Sequence, residues 1–338
     1  MEVSTLGIDL AKNIFQLHGV DKRGKVVLSR RVSRGKLMEV MANLPPCLLG
    51  MEACIGANYW AREFEKMGHT VKLMSAKFVR PYVKTNKNDG RDAEGICEAV
   101  SRPTMRFVPI KTIEQQDIQC LHRCRTLLVK NRTALINQIR GLLLEYGVVI
   151  GKSPGKVRRL LPALLEDEGI GLTPSSRETF RDLYAQLVDL DERVEKIGGR
   201  IERLFNAHPV CQKIAAIPGI GPLTATALVA AIDDPNVFQN GRHLAAWLGL
   251  VPRQHSSAEK VNLGRISKRG NRYVRTLLIH GARAVVTHAG KKTDGLSLWI
   301  KELKDRSGAA VATVALANKN ARVVWALLAH DDVYRKAT

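Results

Sequence analysis

Four carboxylates and a pair of serines are the residues of this chain whose types and placement could do chemistry. Asp9 ends the apolar run TLGIDL, Glu52 ends CLLGME, and NKNDGRDAEGI puts Asp89 and Asp92 at the start of a helical pattern. A spacing of three sets Asp89 and Asp92 on one helix face. Acids gathered at strand tips repel one another, and a hard divalent cation such as Mg²⁺ or Mn²⁺ reverses that penalty. Taken singly, each acid has a plainer role: Asp89 as a helix N-cap, Asp92 as a first-turn acid facing the helix dipole, Glu52 as a solvated strand end. The second candidate is PRQHSSAEK, Pro252 to Lys260, where Ser256 and Ser257 lie in a stretch that reads as loop. Serine is common in loops because its hydroxyl bonds nearby backbone. Among guanidinium groups the same hydroxyl could attack a phosphodiester.

The elements that must position these groups fall into three segments. In residues 1–112, TLGIDL, IFQLHGV and KVVLSRRV predict a three-stranded antiparallel meander. A helix follows around Lys36 to Met41, then CLLGME as a buried strand, ANYWAREFEKMG as a helix closed by Gly68, and HTVKLM as another strand. Strands alternating with helices imply a layered α/β sheet. From Ile113 to Tyr146, Leu121, Leu127, Leu128, Leu135, Ile136, Ile139 and Leu143 mark a long amphipathic helix. Gly147 to Ser176 interrupts it, and a heptad-like series runs from Leu183 to Leu204. Residues 113–207 therefore read as a helical coiled-coil hairpin with a dimerisation seam. Residues 208–338 open on HPVCQKIAAIPGIGPLTATALVAAI, a helix-hairpin-helix-like motif whose Gly219 and Gly221 would let backbone N–H groups approach a phosphate.

The charge favours such a partner. Fifty-three Lys+Arg against 32 Asp+Glu give a formal net charge of +21, which suits a polyanion, nucleic acid first. Arg253, Lys260, Arg265, Lys268, Arg269, Arg272 and Arg275 face one acid, Glu259, between Val251 and Arg275. That cluster could neutralise several phosphates, with Gly264 and Gly270 allowing close backbone approach. No apolar run reaches the length of a membrane span, and MEVSTLGIDLAKN lacks a charged secretory n-region, so a cytoplasmic, nucleoid-associated protein is expected. The six cysteines are too scattered for a disulfide framework, and CLHRC lacks the second pair of a zinc site.

GIDLAKN, the strand-end Glu52, NKNDGRDA, IPGIGPLTA, GLVPRQHSS and GRISKRGNRYVR, in that order and nearly end to end, resemble the insertion-sequence transposases of the IS-one-ten family, its IS-eleven-eleven branch in particular. The resemblance implies a RuvC-like, RNase H-type N-terminal domain, a coiled-coil linker and a C-terminal transposase domain. It implies that Asp9, Glu52, Asp89 and Asp92 are metal-binding acids and that Ser257 is a nucleophile. Ser256 is the fallback assignment, and in an extended loop His255 shares a face with Ser257 and could act as its base. A Gly pair usually follows that serine; here Ala258-Glu259 stands in its place. It further implies a structured bridge RNA that pairs with donor and target DNA, and a homodimer or homotetramer. The mechanism expected is strand exchange through a phosphoserine-linked DNA end. The rivals are a metal-dependent junction nuclease that uses water, and a non-catalytic nucleic-acid-binding protein.

Overall fold

The computed structural model describes residues 2–84, 88–232, 234–257 and 260–335. The chain divides into two compact units, Met1–Thr112 and Ile113–Thr338.

Unit 1 is built on β1 (Thr5–Asp9), β2 (Ile14–Val20), β3 (Val26–Ser33), α1 (Arg34–Ala42), β4 (Leu48–Glu52), α2 (Ala57–Lys66), β5 (Thr70–Met74), α3 (Ala76–Val79), α4 (Asp89–Val100) and β6 (Phe107–Val108). The sheet order is β3-β2-β1-β4-β5-β6. The meander β1-β2-β3 is antiparallel, β4 and β5 run parallel to β1, and β6 is antiparallel. This mixed order is the layered α/β sheet read from the sequence, and it matches the RNase H-like arrangement that the resemblance implies. Alternation along β1, β2 and β4 buries Leu6, Ile8, Phe15, Leu17, Leu49 and Met51, which form one core with Trp60 and Phe64 of α2. α4 covers the central strands, and two glycines set its distance. A Cβ on Gly7 would stand 2.2 Å from the Ala93 carbonyl oxygen, and one on Gly50 would stand 2.8 Å from Val100 Cβ. The helix thus lies directly on strand backbone, with Ile96, Ala99 and Val100 buried beneath it.

Unit 2 is mainly helical: α5 (Ile113–Leu144), α6 (Pro154–Glu166), α7 (Pro174–Ala207), α8 (Pro209–Ala215), α9 (Pro222–Ala231), α10 (Gly241–Trp247), β7 (Pro252–Gln254), β8 (Leu263–Ile266), α11 (Arg272–His288) and α12 (Gly295–Ala329). α12 is broken at Gly308, whose backbone is left-handed (φ 83°). α5 and α7 pair antiparallel, as Tyr146 against Phe180 and Arg132 against Asp191 fix their register. Their seam buries Ile136, Ile139, Leu143, Phe180 and Leu187. Leu127, assigned to the apolar stripe from sequence, is 58 % exposed.

The expected interruption between α5 and α7 contains a helix of its own. Val157, Leu161 and Leu165 of α6 recur every four residues and are buried in the same seam. Arg177 closes the end of α6, its guanidinium donating to the carbonyls of Leu165, Asp167, Ile170 and Leu172 at 2.6 to 3.2 Å. Arg132 and Arg158 both hold Asp191, whose carboxyl sits below its ordinary value because it accepts from Arg158 first and Arg132 second.

A buried polar pin joins α5, α9 and α11. His122 Nε2 lies 3.0 Å from Thr226 Oγ1, and Nδ1 lies 2.9 Å from the Tyr273 hydroxyl. Thr226 donates its own proton to the Pro222 carbonyl at 2.8 Å, so it accepts from Nε2–H, and Nδ1 accepts from Tyr273. At neutral pH the imidazole is uncharged because its pKa is depressed. Burial, with Arg125 nearby, lowers its pKa to about 4.

Candidate active site

β1 and β4 are parallel neighbours, paired Ile8 with Met51, so Asp9 and Glu52 leave the sheet side by side at the same edge. α4 brings in its first turn over that edge. One carboxylate oxygen from each of Asp9, Asp89 and Asp92 lies within 4.8 Å of the others, Asp89 exposed and the other two half-buried. Glu52 stands outside this group of three, yet its carboxylate and that of Asp9 both help burial push the Cys54 thiol up. The four predicted acids thus share one edge, with three of them converged.

Local sequence explains the convergence. Asn88, and not Asp89, caps α4: its side chain accepts from Gly90 N–H at 2.9 Å. Asp89 is thereby left for another task. Asp92 follows one turn on, where the helix dipole favours a carboxylate. Gln16, the cross-strand partner of Asp9, places Nε2 4.0 Å from where a Cβ on Gly90 would sit. The sequence reading missed both Asn88 and Gln16; Asn immediately before Asp-Gly was the available signal for the cap.

The donor set fits a hard cation. Ligands at about 2.1 Å span at most about 4.2 Å across an octahedral ion. Oxygens within 4.8 Å of one another need to close only slightly on one ion, or they can share two. A divalent cation would offset the mutual repulsion of three carboxylates held this close. The arrangement can therefore bind divalent metal and present a phosphodiester to it. The cysteines take no part: all six are free thiols, Cys120 and Cys124 exposed on α5, and Cys47, Cys97 and Cys211 buried with pKa values raised to about 11 by desolvation.

The serine segment is not a plain loop but part of a two-stranded antiparallel ribbon, β7 with β8. Ser256 staples it: its hydroxyl accepts from Gln254 Nε2 at 3.1 Å and from Asn262 N–H at 3.3 Å. Ser257 pairs through its backbone with Lys260 and is exposed. Among the described residues no hydrogen bond joins its hydroxyl to His255 or another base. Ala258 and Glu259, expected to replace a Gly pair, lie outside the described residues.

The basic positions divide in two. Arg253, Lys260, Arg265, Lys268 and Arg269 are exposed on or beside the ribbon, and Arg272 opens α11. Arg275 is only 7 % exposed; its Nη1 donates to the Leu248 and Arg269 carbonyls at 2.8 and 2.9 Å. It anchors the ribbon's root and is withdrawn from the phosphate contacts expected of it. Gly270 also serves packing, since a Cβ there would stand 1.8 Å from the Trp247 carbonyl oxygen. So does Gly219: its turn crosses α11 so closely that a Cβ on Gly281 would stand 1.8 Å from the Gly219 carbonyl oxygen. Gly221, the N-cap position of α9, faces open space.

Comparison with known proteins places these features together. The DEDD transposase model of IS110 type matches residues 6–148, and a model described as "Transposase IS116/IS110/IS902 family" matches residues 211–295. The chain is 48 % identical over 336 residues to a "Probable family 20 transposase" of Pseudomonas aeruginosa, covering 99 % of both chains. It is 48 % identical over 334 residues to the "Transposase for insertion sequence element IS1111A" of Coxiella burnetii, covering 99 % of this chain and 92 % of that one. It is 38 % identical over 334 residues to the "Transposase for insertion sequence element IS1328" of Yersinia enterocolitica, covering 99 % of both.

One expectation is overturned. The phosphoserine route gives way to metal-dependent chemistry of the RNase H and RuvC type, because the groups that converge are Asp9, Asp89 and Asp92, in the segment matched by the DEDD model. With a carboxylate cluster compatible with a divalent cation at the end of an RNase H-like sheet and this likeness along the whole chain, the protein belongs to the IS116/IS110/IS902 family of insertion-sequence transposases.

Proposed function

We propose that this transposase cuts DNA at junction-type sites by metal-dependent hydrolysis, with water as the nucleophile, at the edge where Asp9, Glu52, Asp89 and Asp92 meet. The observation that carries this reading is the approach of three carboxylates within 4.8 Å where β1 ends and α4 begins. Asp9, Asp89 and Asp92 would hold Mg²⁺ or Mn²⁺, and Glu52 is the fourth ligand in the proposal. When bound, the ion supplies Lewis-acid polarisation of the phosphate and a water of lowered pKa. The half-buried carboxylates of Asp9 and Asp92 fix the ligand positions in advance, and exposed Asp89 leaves an opening for the scissile strand. Charge supports the DNA partner, and Gly221, Arg253, Lys260, Arg265, Lys268, Arg269 and Arg272 are the proposed contacts to its backbone. A structured guide RNA and a homodimer or homotetramer belong to the same proposal on the strength of the family likeness. The test is product analysis: junction DNA with Mg²⁺ should yield free ends with no protein attached, and chelation should stop the reaction. A protein–DNA adduct that survives denaturation would falsify the water route.

A further inference from the structure

An open groove of about 1550 Å³ lies within unit 2, lined by both halves of α12, the start of α10 and the β7–β8 ribbon. Its floor is apolar: Ile266, Trp299, Val311, Val314 and Ala315 line it, and Val311 is 51 % exposed. Its walls are fixed. The Trp325 indole N–H donates to the Pro235 and Phe238 carbonyls at 3.0 Å, and Asn318 Nδ2 donates to the Leu250 carbonyl at 3.2 Å. A Cβ on Gly241 would meet the Arg322 backbone at 2.9 Å, so α10 is seated on α12. Arg242, Arg265, Lys268, Lys319 and Arg322 also line the groove, and none of its described lining residues is acidic. Lys319 Nζ stands 4.7 Å from the Trp299 ring centroid.

An apolar floor within cations alone selects among polyanions. A duplex turns phosphates outward and hides the base faces, so it would leave Val311, Val314 and Trp299 against charge and water. A single strand offers base faces to the floor and phosphates to the cations. A second copy of a chain carrying +21 would bring like charge to like. We propose that this groove binds a single-stranded polynucleotide, its bases packed on Trp299, Val311 and Val314 and its phosphates on Arg242, Arg265, Lys268, Lys319 and Arg322. The inference rests on the nucleic-acid reading above and places a strand site beside the ribbon, with Arg265 and Lys268 shared between the two.

The test uses the full chain and fluorescence anisotropy with four probes: a thymidine 15-mer, a uridine 15-mer, an abasic 15-mer of equal charge, and a blunt duplex. The wild type should bind the base-bearing strands roughly tenfold or more tighter than the abasic strand, the size expected of one good stacking contact. Preference for uridine assigns the groove to RNA and preference for thymidine to DNA; either supports it. Val314→Glu should weaken single-strand binding roughly tenfold while duplex affinity and circular dichroism stay as in the wild type. Lys319→Ala with Arg322→Ala, both exposed, should lower the single-strand salt slope by about 0.7 for each phosphate no longer neutralised. Equal affinity for abasic and base-bearing strands, or an unchanged slope, overturns the proposal. So does a change of mass in light scattering by Val314→Glu with single-strand binding intact, which gives the groove to a second copy. If the wild type cuts duplex DNA but ignores single strands, this inference alone fails. If it binds no nucleic acid in any form, the proposed function fails with it.

Discussion

The acidic edge of unit 1 and the basic ribbon of unit 2 are organised in opposite ways. At the edge, backbone packing brings charges of one sign together: α4 rests on Gly7 and Gly50, Asn88 caps the helix, and its first turn carries Asp89 and Asp92 to Asp9. On the ribbon, the cations are spread along two short exposed strands. The buried member of that series, Arg275, has been recruited into the fold. Preorganised repulsion suits a small multivalent ion, whereas dispersed cations suit a long polyanion. Position and function should therefore respond differently to mutation in the two places.

The sharpest break is expected at the edge. Asp9→Asn or Asp92→Asn should lower metal-dependent cleavage by about a thousandfold, the equivalent of several kcal/mol of lost charge stabilisation, with the melting temperature preserved. Cleavage within tenfold of the wild type would remove these acids from the site. Gly7→Ala comes next. It alters no ligand, yet its Cβ would stand 2.2 Å from the Ala93 carbonyl oxygen, so α4 must move off the sheet. A displacement near 1 Å is expected to cost about a hundredfold in rate, along with about 1 to 3 kcal/mol or more of stability in urea melts. Normal activity in a stable Gly7→Ala protein would mean that the acids are positioned some other way.

A third test sharpens the contrast within unit 2. His122 titrates at about 4 in the folded chain against 6.5 ordinarily, so between those values the unfolded chain binds more protons. Its contribution to stability is complete above about pH 6.5 and is lost as the pH falls toward 4, at up to about 1.4 kcal/mol per pH unit. Urea melts from pH 7 to 4.5 should show this slope, and His122→Gln should flatten it; equal slopes in both proteins would mean that the pin does not set the pH response. The smallest effect is expected on the ribbon. Replacing Arg265, Lys268 and Arg269 by Ala should leave the fold untouched and lower the duplex salt slope by up to about 0.9 for each phosphate no longer held. A slope equal to that of the wild type would mean that these side chains face solvent only.

Much of unit 1 could be read from sequence because its signals are local. Period-two runs end at Asp9 and Glu52, and a helix starts at Asp89, so the acids were placed before any tertiary contact was known. The helix over Pro154–Glu166 went unread because its flanking glycines and prolines resemble loop punctuation, while its stop is supplied by Arg177 from outside the helix. The ribbon read as loop because its strands are too short and exposed to show alternation. Arg275 and Gly219 share a third reason. The sequence displays a cation and a flexible turn, but the partners that decide their roles, the Leu248 carbonyl and the Gly281 backbone, depend on how distant helices cross.

Those crossings bear on how this family of enzymes would be dissected. Alanine scanning assumes that truncating a side chain is the mildest available lesion. At Gly7 and at the Gly219–Gly281 crossing the assumption inverts, because alanine adds the one atom that the packing has no room for. A scan of polar residues alone would pass over these positions and credit the acids with the whole of the site. The genetic footprint of catalysis here should therefore include residues that touch neither metal nor DNA, and in unselected variant libraries they should be as intolerant of change as the carboxylates.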